Sequence, residues 1–248
     1  MLTPERQQLI LELIQKHEVV KLQDFVEVTG ASESTIRRDL SQLEEQNKLK
    51  RVHGGAARIL QKGEEPSILE KASINLYEKK MVAKKAADLI NDGDCIFLDA
   101  GTTTFQMIPY LENKQITVVT NGFAHIQSLM EKGLTTYIVG GFMKNKTGAI
   151  IGSKASQSLL EYNFDKAFIG ANGVHLKTGY TTPDPEEASI KNLAIKLANE
   201  TFILADSSKI NEVAFAKIAP LQSGTLITNQ CEELLAAAFR DITTVIEV

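Results

Sequence analysis

Residues 32–56 read SESTIRRDLSQLEEQNKLKRVHGGA, and this stretch decides the fold of the N-terminal part of the chain. Three apolar residues recur in it at helical spacing: Ile36, Leu40 and Leu43. The spacing predicts a helix that Ser32 caps and that ends at Asn47. The glycine pair Gly54-Gly55 then predicts a tight turn between two strands.

Two further helices are predicted before this stretch. Thr3-Pro4 is typical of a helix start, and the i, i+4 apolar pairs that follow carry the helix to about His17. A second amphipathic segment begins near Leu22 and stops at Gly30. Three short helices and a β-hairpin within 60 residues predict a winged helix-turn-helix.

The net charge alone does not say whether this part binds nucleic acid. The 248-residue chain carries a formal charge of -4, and residues 1–58 hold nine Lys/Arg and nine Asp/Glu. Between Lys48 and Arg58, however, there are four basic residues and no acidic one. Since binding depends on the local field, the position of the charges has to decide.

The polar face of the third helix carries the predicted DNA contacts. At 100° per residue, Arg38 lies roughly 200° from Ile36, on the side opposite the apolar stripe. Arginine reads guanine edges, and hydroxyls fix the register on phosphates. The helix and its wing give nine candidates: Ser32, Ser34, Thr35, Arg37, Arg38, Ser41, Lys50, Arg51 and His53. The alternative is a solvated helix face with a Glu33–Arg37 surface bridge.

The rest of the chain predicts an α/β domain. Residues 59–77 have mixed polarity and no sustained period, so they are interpreted as a linker between domains at 1–58 and 78–248. Beyond them, short apolar strands alternate with helices, which is typical of a largely parallel sheet. Strands are predicted at 95–99, 116–120, 136–140, 167–171, 202–206, 226–228 and 243–248, and helices at 78–91, 104–112, 123–131, 153–161, 186–199 and 232–239.

A loop for a small anion follows the first of these strands. Asp99-Ala100-Gly101-Thr102-Thr103-Thr104 opens a helix, so its N–H groups and three hydroxyls are suited to a phosphate. The alternative is that Thr102 or Thr103 only caps the helix. The loop lacks the Gly-Lys-Ser/Thr of a nucleoside triphosphate site.

Other strand ends supply polar groups to the same edge of a parallel sheet. The predicted small-molecule site comprises Asp99, Gly101, Thr102, Thr103, Thr104, Asn121, Gly141, Asn172, Gly173, Glu187 and Lys209. Each strand end is also explained by turn chemistry, and only their number favours a pocket. Glu187 and Lys191, at i, i+4, are either ligand contacts or a helix salt bridge.

Two linked motifs carry a resemblance to a known family. Arg37-Arg38-Asp39-Leu40, followed by Arg51-Val52-His53-Gly54-Gly55-Ala56, is similar to the N-terminal domain of DeoR-family bacterial transcription regulators. The resemblance implies a repressor of a sugar-utilisation operon that binds double-stranded operator DNA as a dimer or tetramer. It also implies release by a phosphorylated sugar, with fructose 1-phosphate as one candidate.

The resemblance extends to the C-terminal part, which is expected to have the ribose-5-phosphate isomerase and CoA-transferase fold. The family's loop is taken to hold a sugar phosphate, and here Ala100 replaces its usual serine. Asn172-Gly173 stands where the isomerase carries an acidic pair, and neither residue acts as a base. A non-catalytic sensor is therefore expected. The alternatives are an isomerase that uses Asp99 and a structural DNA protein without a ligand.

No cofactor or metal is predicted. The two cysteines and four histidines are scattered, and no apolar run approaches the length of a membrane span. The N-terminus lacks the layout of a secretory signal. The expected setting is the cytoplasm.

Overall fold

The computed structural model describes residues 2–17, 19–46, 48–52, 54–58 and 67–248. These residues form two compact units. The first comprises the described residues up to Arg58 together with Leu69–Ile74, and the second comprises Ser67, Ile68 and Asn75–Val248. Helix α4 (Ile68–Ser73) lies in the segment predicted as a linker.

The first unit is a winged helix-turn-helix, as predicted. Its elements are α1 (Thr3–His17), β1 (Val19–Lys21), α2 (Leu22–Thr29), α3 (Glu33–Glu45), β2 (Lys50–Val52) and β3 (Gly55–Ala57). Gly30 ends α2 in the left-handed conformation, and Ser32 caps α3 by accepting from the amide of Thr35 at 3.3 Å. Gly30 and the Ser32 cap thus end α2 and begin α3 within three residues. The predicted helix end at Asn47 and the predicted contact at His53 lie outside the described residues.

The predicted hairpin is present as β2 and β3, and β1 adds a third strand that was not predicted. The order is β1-β3-β2, all antiparallel, so β3 is the central strand. A Cβ at Gly55 would lie 2.1 Å from the carbonyl oxygen of Val20, which explains the glycine at this position. Strand β1 is three residues long, too short for a period to predict it.

Asp39 orients the third helix from its inner side. It is 3% exposed, and it forms an ion pair and hydrogen bonds with Arg6 of α1. A charged residue inside the apolar stripe of α3 is stable only with such a partner. Arg37 and Arg38 are both exposed. The Arg-Arg-Asp sequence therefore places two arginines on the outer face of α3 and one aspartate, paired with Arg6, on its inner face.

The second unit contains a seven-stranded parallel sheet of order β15-β14-β12-β9-β4-β5-β6. These strands are β4 (Cys95–Leu98), β5 (Thr117–Thr120), β6 (Thr135–Ile138), β9 (Phe164–Gly170), β12 (Ala198–Leu204), β14 (Thr225–Thr228) and β15 (Val245–Glu247). The helices are α5 (Leu76–Asp88), α6 (Thr102–Phe105), α7 (His125–Glu131), α8 (Ser153–Leu159), α9 (Pro185–Lys196) and α10 (Glu233–Arg240). Two apolar clusters pack on the sheet.

All seven predicted strands are confirmed, and two helix predictions are corrected. The helix predicted at 186–199 ends at Lys196, and β12 already begins at Ala198. The helix predicted at 104–112 is interrupted after Phe105, and a 3-10 turn follows that contains Pro109. Five short strands were not predicted: β7 (Phe142–Met143), β8 (Ile150–Ile151), β10 (Gly173–His175), β11 (Gly179–Thr182) and β13 (Ala216–Ala219).

No helix in the part of the chain that the structure describes is long and apolar enough to cross a membrane.

Candidate DNA-binding surface and effector site

The outer face of α3 carries the predicted DNA contacts. Ser34 and Arg38 are exposed, and within the described residues no hydrogen bond or ion pair involves the Arg38 guanidinium. Arg37 lies 3.5 Å from Glu33, and both side chains are more than half exposed. Such a pair contributes at most a few tenths of a kcal/mol, so it does not prevent Arg37 from contacting DNA.

The wing is fastened to the same helix. The guanidinium of Arg51 donates to the hydroxyl of Ser41 at 3.0 Å, and its amide donates to Glu44 at 2.8 Å. Lys50 beside it is exposed. Arg51 and Ser41 are thus partners in the absence of DNA, and they hold the wing in a fixed register with the helix.

The predicted anion loop lies at the carboxyl edge of the central strands β4 and β9. The Asp99 carboxylate accepts from the amide of Gly170 at 2.9 Å and forms an ion pair with Lys191 of α9. Lys191 also donates to the carbonyl of Gly170 at 3.1 Å. Asp99 is 1% exposed and Lys191 is 5% exposed. The pair fixes the end of β4, the end of β9 and α9 as one rigid group.

The Thr104 hydroxyl, predicted as a ligand contact, has partners within its own loop. This hydroxyl contacts the carbonyl oxygens of Asp99 and Gly101 at 2.5 and 2.7 Å, and the side chain is fully buried. It closes the loop on itself by these bonds. The N-cap residue of α6 is Gly101, and no side chain caps this helix. Thr102 and Thr103 therefore do not have the capping role that was the alternative. Their two hydroxyls remain as candidate contacts.

Three other predicted residues have internal roles at this edge. Asn121 is 2% exposed; it accepts from the amide of Ala100 at 3.1 Å and donates to the carbonyl of Ile150 at 3.2 Å. Gly173 is buried in β10, where a Cβ would lie 2.5 Å from the carbonyl of Glu212. Gly141 has a φ of 154°, and its Cβ would lie 2.8 Å from the carbonyl of Ile151. These residues shape the edge through packing and internal bonds.

The contacts of Glu187 and Lys191 reach beyond their own helix. Glu187 is buried, and it accepts from Lys144 at 3.1 Å and from the hydroxyl of Thr147 at 2.8 Å. Lys144 also pairs with Asp184, the cap of α9, at 2.7 Å. Lys191 pairs with Asp99. Lys144 and Thr147 were not predicted, because their segment shows no period or motif.

The last two predicted residues lie on neighbouring turns. The Asn172 side chain accepts from the hydroxyl of Thr182 at 3.0 Å. Lys209 ends a 3-10 turn, Ser207–Lys209, that follows β12 and that Asp206 caps. Burial alone would raise the pKa of Asp206. The charge of Lys209 and the hydrogen bonds of Ser208 and Asn75, together with the charge of Lys79, lower it below its ordinary value.

His125, which was not predicted, lies fully buried beside the loop. Its Nε2 is 3.5 Å from the hydroxyl of Thr104, and its ring meets Phe105 edge-on. Its Nδ1 is buried with no hydrogen-bond partner among the described residues. Burial lowers the pKa of His125 to about 4, against the opposing effects of the Asp99 charge and backbone. The ring is therefore neutral at pH 7.

We expect His125 to make the protein less stable in mild acid. In the unfolded chain its pKa is about 6.5, so between pH 6.5 and 4 the unfolded state binds more protons. The free energy of unfolding should fall by about 3 kcal/mol as the pH drops through this window. Urea denaturation of His125→Asn should show a flatter pH dependence than wild type. A slope in His125→Asn equal to that of the wild type would contradict the expectation.

A helix-turn-helix unit joined to an α/β unit is typical of transcriptional regulators. The DeoR-like helix-turn-helix domain matches residues 6–62, and the DeoR C terminal sensor domain matches residues 74–230. The chain therefore belongs to the DeoR family of transcriptional regulators.

Relatives with regulator names match over nearly the whole chain. The regulator FruR of Bacillus subtilis (strain 168) is 52% identical over 99% of this chain and 98% of that protein. The lactose phosphotransferase system repressor of Staphylococcus epidermidis is 35% identical over 86% of each. Among solved structures, ribose 5-phosphate isomerase A from Methanocaldococcus jannaschii is similar over 55% of each chain, with 24% identity and a TM-score of 0.42. The chain is a regulator and not an enzyme.

Proposed function

We propose that this regulator represses a sugar-utilisation operon and leaves its operator when a phosphorylated sugar binds the carboxyl edge of the parallel sheet. One observation carries the proposal: the ends of β4, β9 and β12 bring a helix-opening loop, Asp99 and Lys209 to one edge. Amides, hydroxyls and a lysine suit a phosphate, and carboxylate and amide side chains suit sugar hydroxyls. Similarity to a sugar phosphotransferase system repressor supports the same ligand class.

The state of the buried carboxylates supports a sensor over an isomerase. A general base has to be free to take a proton from the substrate. Asp99 is held by Lys191 and by the amide of Gly170, and Glu187 is held by Lys144 and Thr147. Neither carboxylate is therefore free to act as a general base.

The DNA-bound form is proposed to be a homo-oligomer, acting in the cytoplasm. Winged helices that read a palindromic operator do so in pairs, one for each half-site. The division into a DNA-binding domain at 1–58, a linker at 59–77 and a sensor at 78–248 belongs to the same proposal.

A panel of sugar phosphates tests the proposal. An operator duplex is first selected from random-sequence DNA by the protein itself. Fructose 1-phosphate, other hexose and pentose phosphates, and the unphosphorylated sugars are then added in a thermal-shift assay and an operator-binding assay. At least one sugar phosphate should raise the melting temperature and weaken operator binding, because a ligand that binds the folded state stabilises it. Turnover of ribose 5-phosphate, or operator binding indifferent to the whole panel, would refute the proposal.

A further inference from the structure

Two residues on either side of Leu69–Ile74, Ile68 and Asn75, are hydrogen-bonded within the second unit, to which both belong. The amide of Ile68 donates to the carbonyl of Lys146 at 3.0 Å. The side-chain amide of Asn75 donates to Asp206 and to the hydroxyl of Ser208, both at 3.0 Å. The segment between them, Leu69–Ile74, groups with the DNA-binding unit. The chain thus passes from one unit to the other at Asn75.

Both turns that accept these hydrogen bonds are connected to residues of the proposed effector site. The first binds Glu187 of α9, and the second contains Lys209. Lys146 lies between Lys144 and Thr147, whose side chains both bind Glu187. Asp206 and Ser208 belong to the turn that ends at Lys209. A ligand that contacts Glu187 or Lys209 therefore acts on turns that are hydrogen-bonded to Ile68 and Asn75, the two residues on either side of Leu69–Ile74.

Asn75 has a left-handed backbone conformation. Its φ and ψ are 52° and 40°, in the left-handed region, which asparagine adopts more readily than most residues. Lys79, one turn further along α5, is 4% exposed, and its positive charge acts on Asp206. The first turn of α5 is thereby tied to the turn of Lys209 by hydrogen bonds and by charge.

We infer that Asn75 is a positioning residue of the effector site that transmits ligand binding to the DNA-binding unit. It acts through Asp206 and Ser208, and it does not touch the ligand. When the anion binds Lys209, it changes the position of the Ser207–Lys209 turn. The side-chain amide of Asn75, which is hydrogen-bonded to that turn, then shifts with it and moves the end of α4. This inference rests on the proposed function, since it requires a ligand at that edge. Allostery of this kind is a coupling free energy between ligand and operator.

The test separates ligand binding from operator release in the full-length protein. Asn75→Gly removes the amide but keeps the left-handed backbone accessible. Asn113→Gly is the matched control, because Asn113 also has a positive φ, at 68°, and lies in the exposed turn before β5, away from the carboxyl edge. The probes are fructose 1-phosphate and, as the phosphate-free control, fructose. The operator duplex is the one selected by the wild-type protein.

In the wild type, saturating fructose 1-phosphate should weaken operator binding by a factor of about 5–150. Asn75→Gly should bind fructose 1-phosphate within about threefold of the wild-type Kd, while its weakening factor falls below about a third of the wild-type value. Asn113→Gly should match the wild type in both measurements. If Asn75 only supported the structure of the pocket, its substitution would change the Kd of fructose 1-phosphate and leave the weakening factor of operator binding unchanged.

Two results would overturn the inference. One is a weakening factor in Asn75→Gly equal to that of the wild type, and the other is loss of fructose 1-phosphate binding in this variant. If Asn75→Gly does not fold, Ser208→Ala decides, since it removes one acceptor of the same amide at an exposed position. A wild-type protein that ignores fructose 1-phosphate would remove the proposed function for this ligand together with the inference. If fructose 1-phosphate weakens operator binding equally in the wild type and in Asn75→Gly, the inference about Asn75 is wrong and the proposed function stands.

Discussion

Replacement of Thr103 by aspartate is expected to abolish release from the operator while operator binding itself stays within about twofold of wild type. Thr103 lies in the first turn of α6, and it is 8% exposed. A carboxylate there would face the phosphate of the proposed ligand in a nearly buried site. Two like charges about 4 Å apart repel by about 4 kcal/mol at an effective dielectric constant of 20. The Kd of an effective sugar phosphate should therefore rise at least about 100-fold.

Thr103→Asn is the matched control for this experiment. Asparagine has nearly the shape of aspartate but no charge, so it tests the loss of the hydroxyl and the change of volume. We expect it to weaken the sugar phosphate by only about tenfold, the cost of about one hydrogen bond. The measurements are operator binding with increasing sugar phosphate and a melting curve for each variant. Wild-type release in Thr103→Asp would show that the phosphate does not lie at this loop.

Replacement of Arg38 by alanine is expected to weaken operator binding by about 1–3 kcal/mol, the contribution of an arginine that contacts a guanine edge. The side chain is exposed on the outer face of α3, and within the described residues it has no polar partner to lose. The variant should therefore fold as the wild type does. If the guanidinium contacts a phosphate instead, the loss should be the same for all sequences, and the salt dependence should fall by about one charge.

Two further variants make the result specific. Arg38→Lys keeps the charge but loses the planar fork, so it should retain a phosphate contact and lose a bidentate base contact. Arg37→Ala removes the neighbouring arginine, which lies 3.5 Å from Glu33, and shows how much a second charge on this face contributes. Operator affinity is measured for each variant between low and physiological salt. An Arg38→Ala protein with wild-type affinity throughout that range would contradict the assignment of α3 as the recognition helix.

The local order of elements could be predicted because it depends on residues close together in the chain. The apolar spacing of Ile36 and Leu40, the cap at Ser32 and the stop at Gly30 each act within one or two turns of helix. The seven strands of the main sheet were equally readable, since each is a short apolar run bounded by polar residues. The short strands such as β7 and β13 were not, because their pairing depends on partners far along the chain.

The sequence by itself determined the winged helix-turn-helix and the parallel α/β unit, and it predicted the edge at which we propose that a ligand binds. The tertiary structure decided which side chains are available there. It paired Asp99 with Lys191 and Glu187 with Lys144, and it turned the Thr104 hydroxyl onto the backbone of its own loop. It also joined Asn75 to Asp206, 131 residues away. Periodicity reports which face of an element is buried, but only the packed fold brings distant polar atoms within hydrogen-bonding distance.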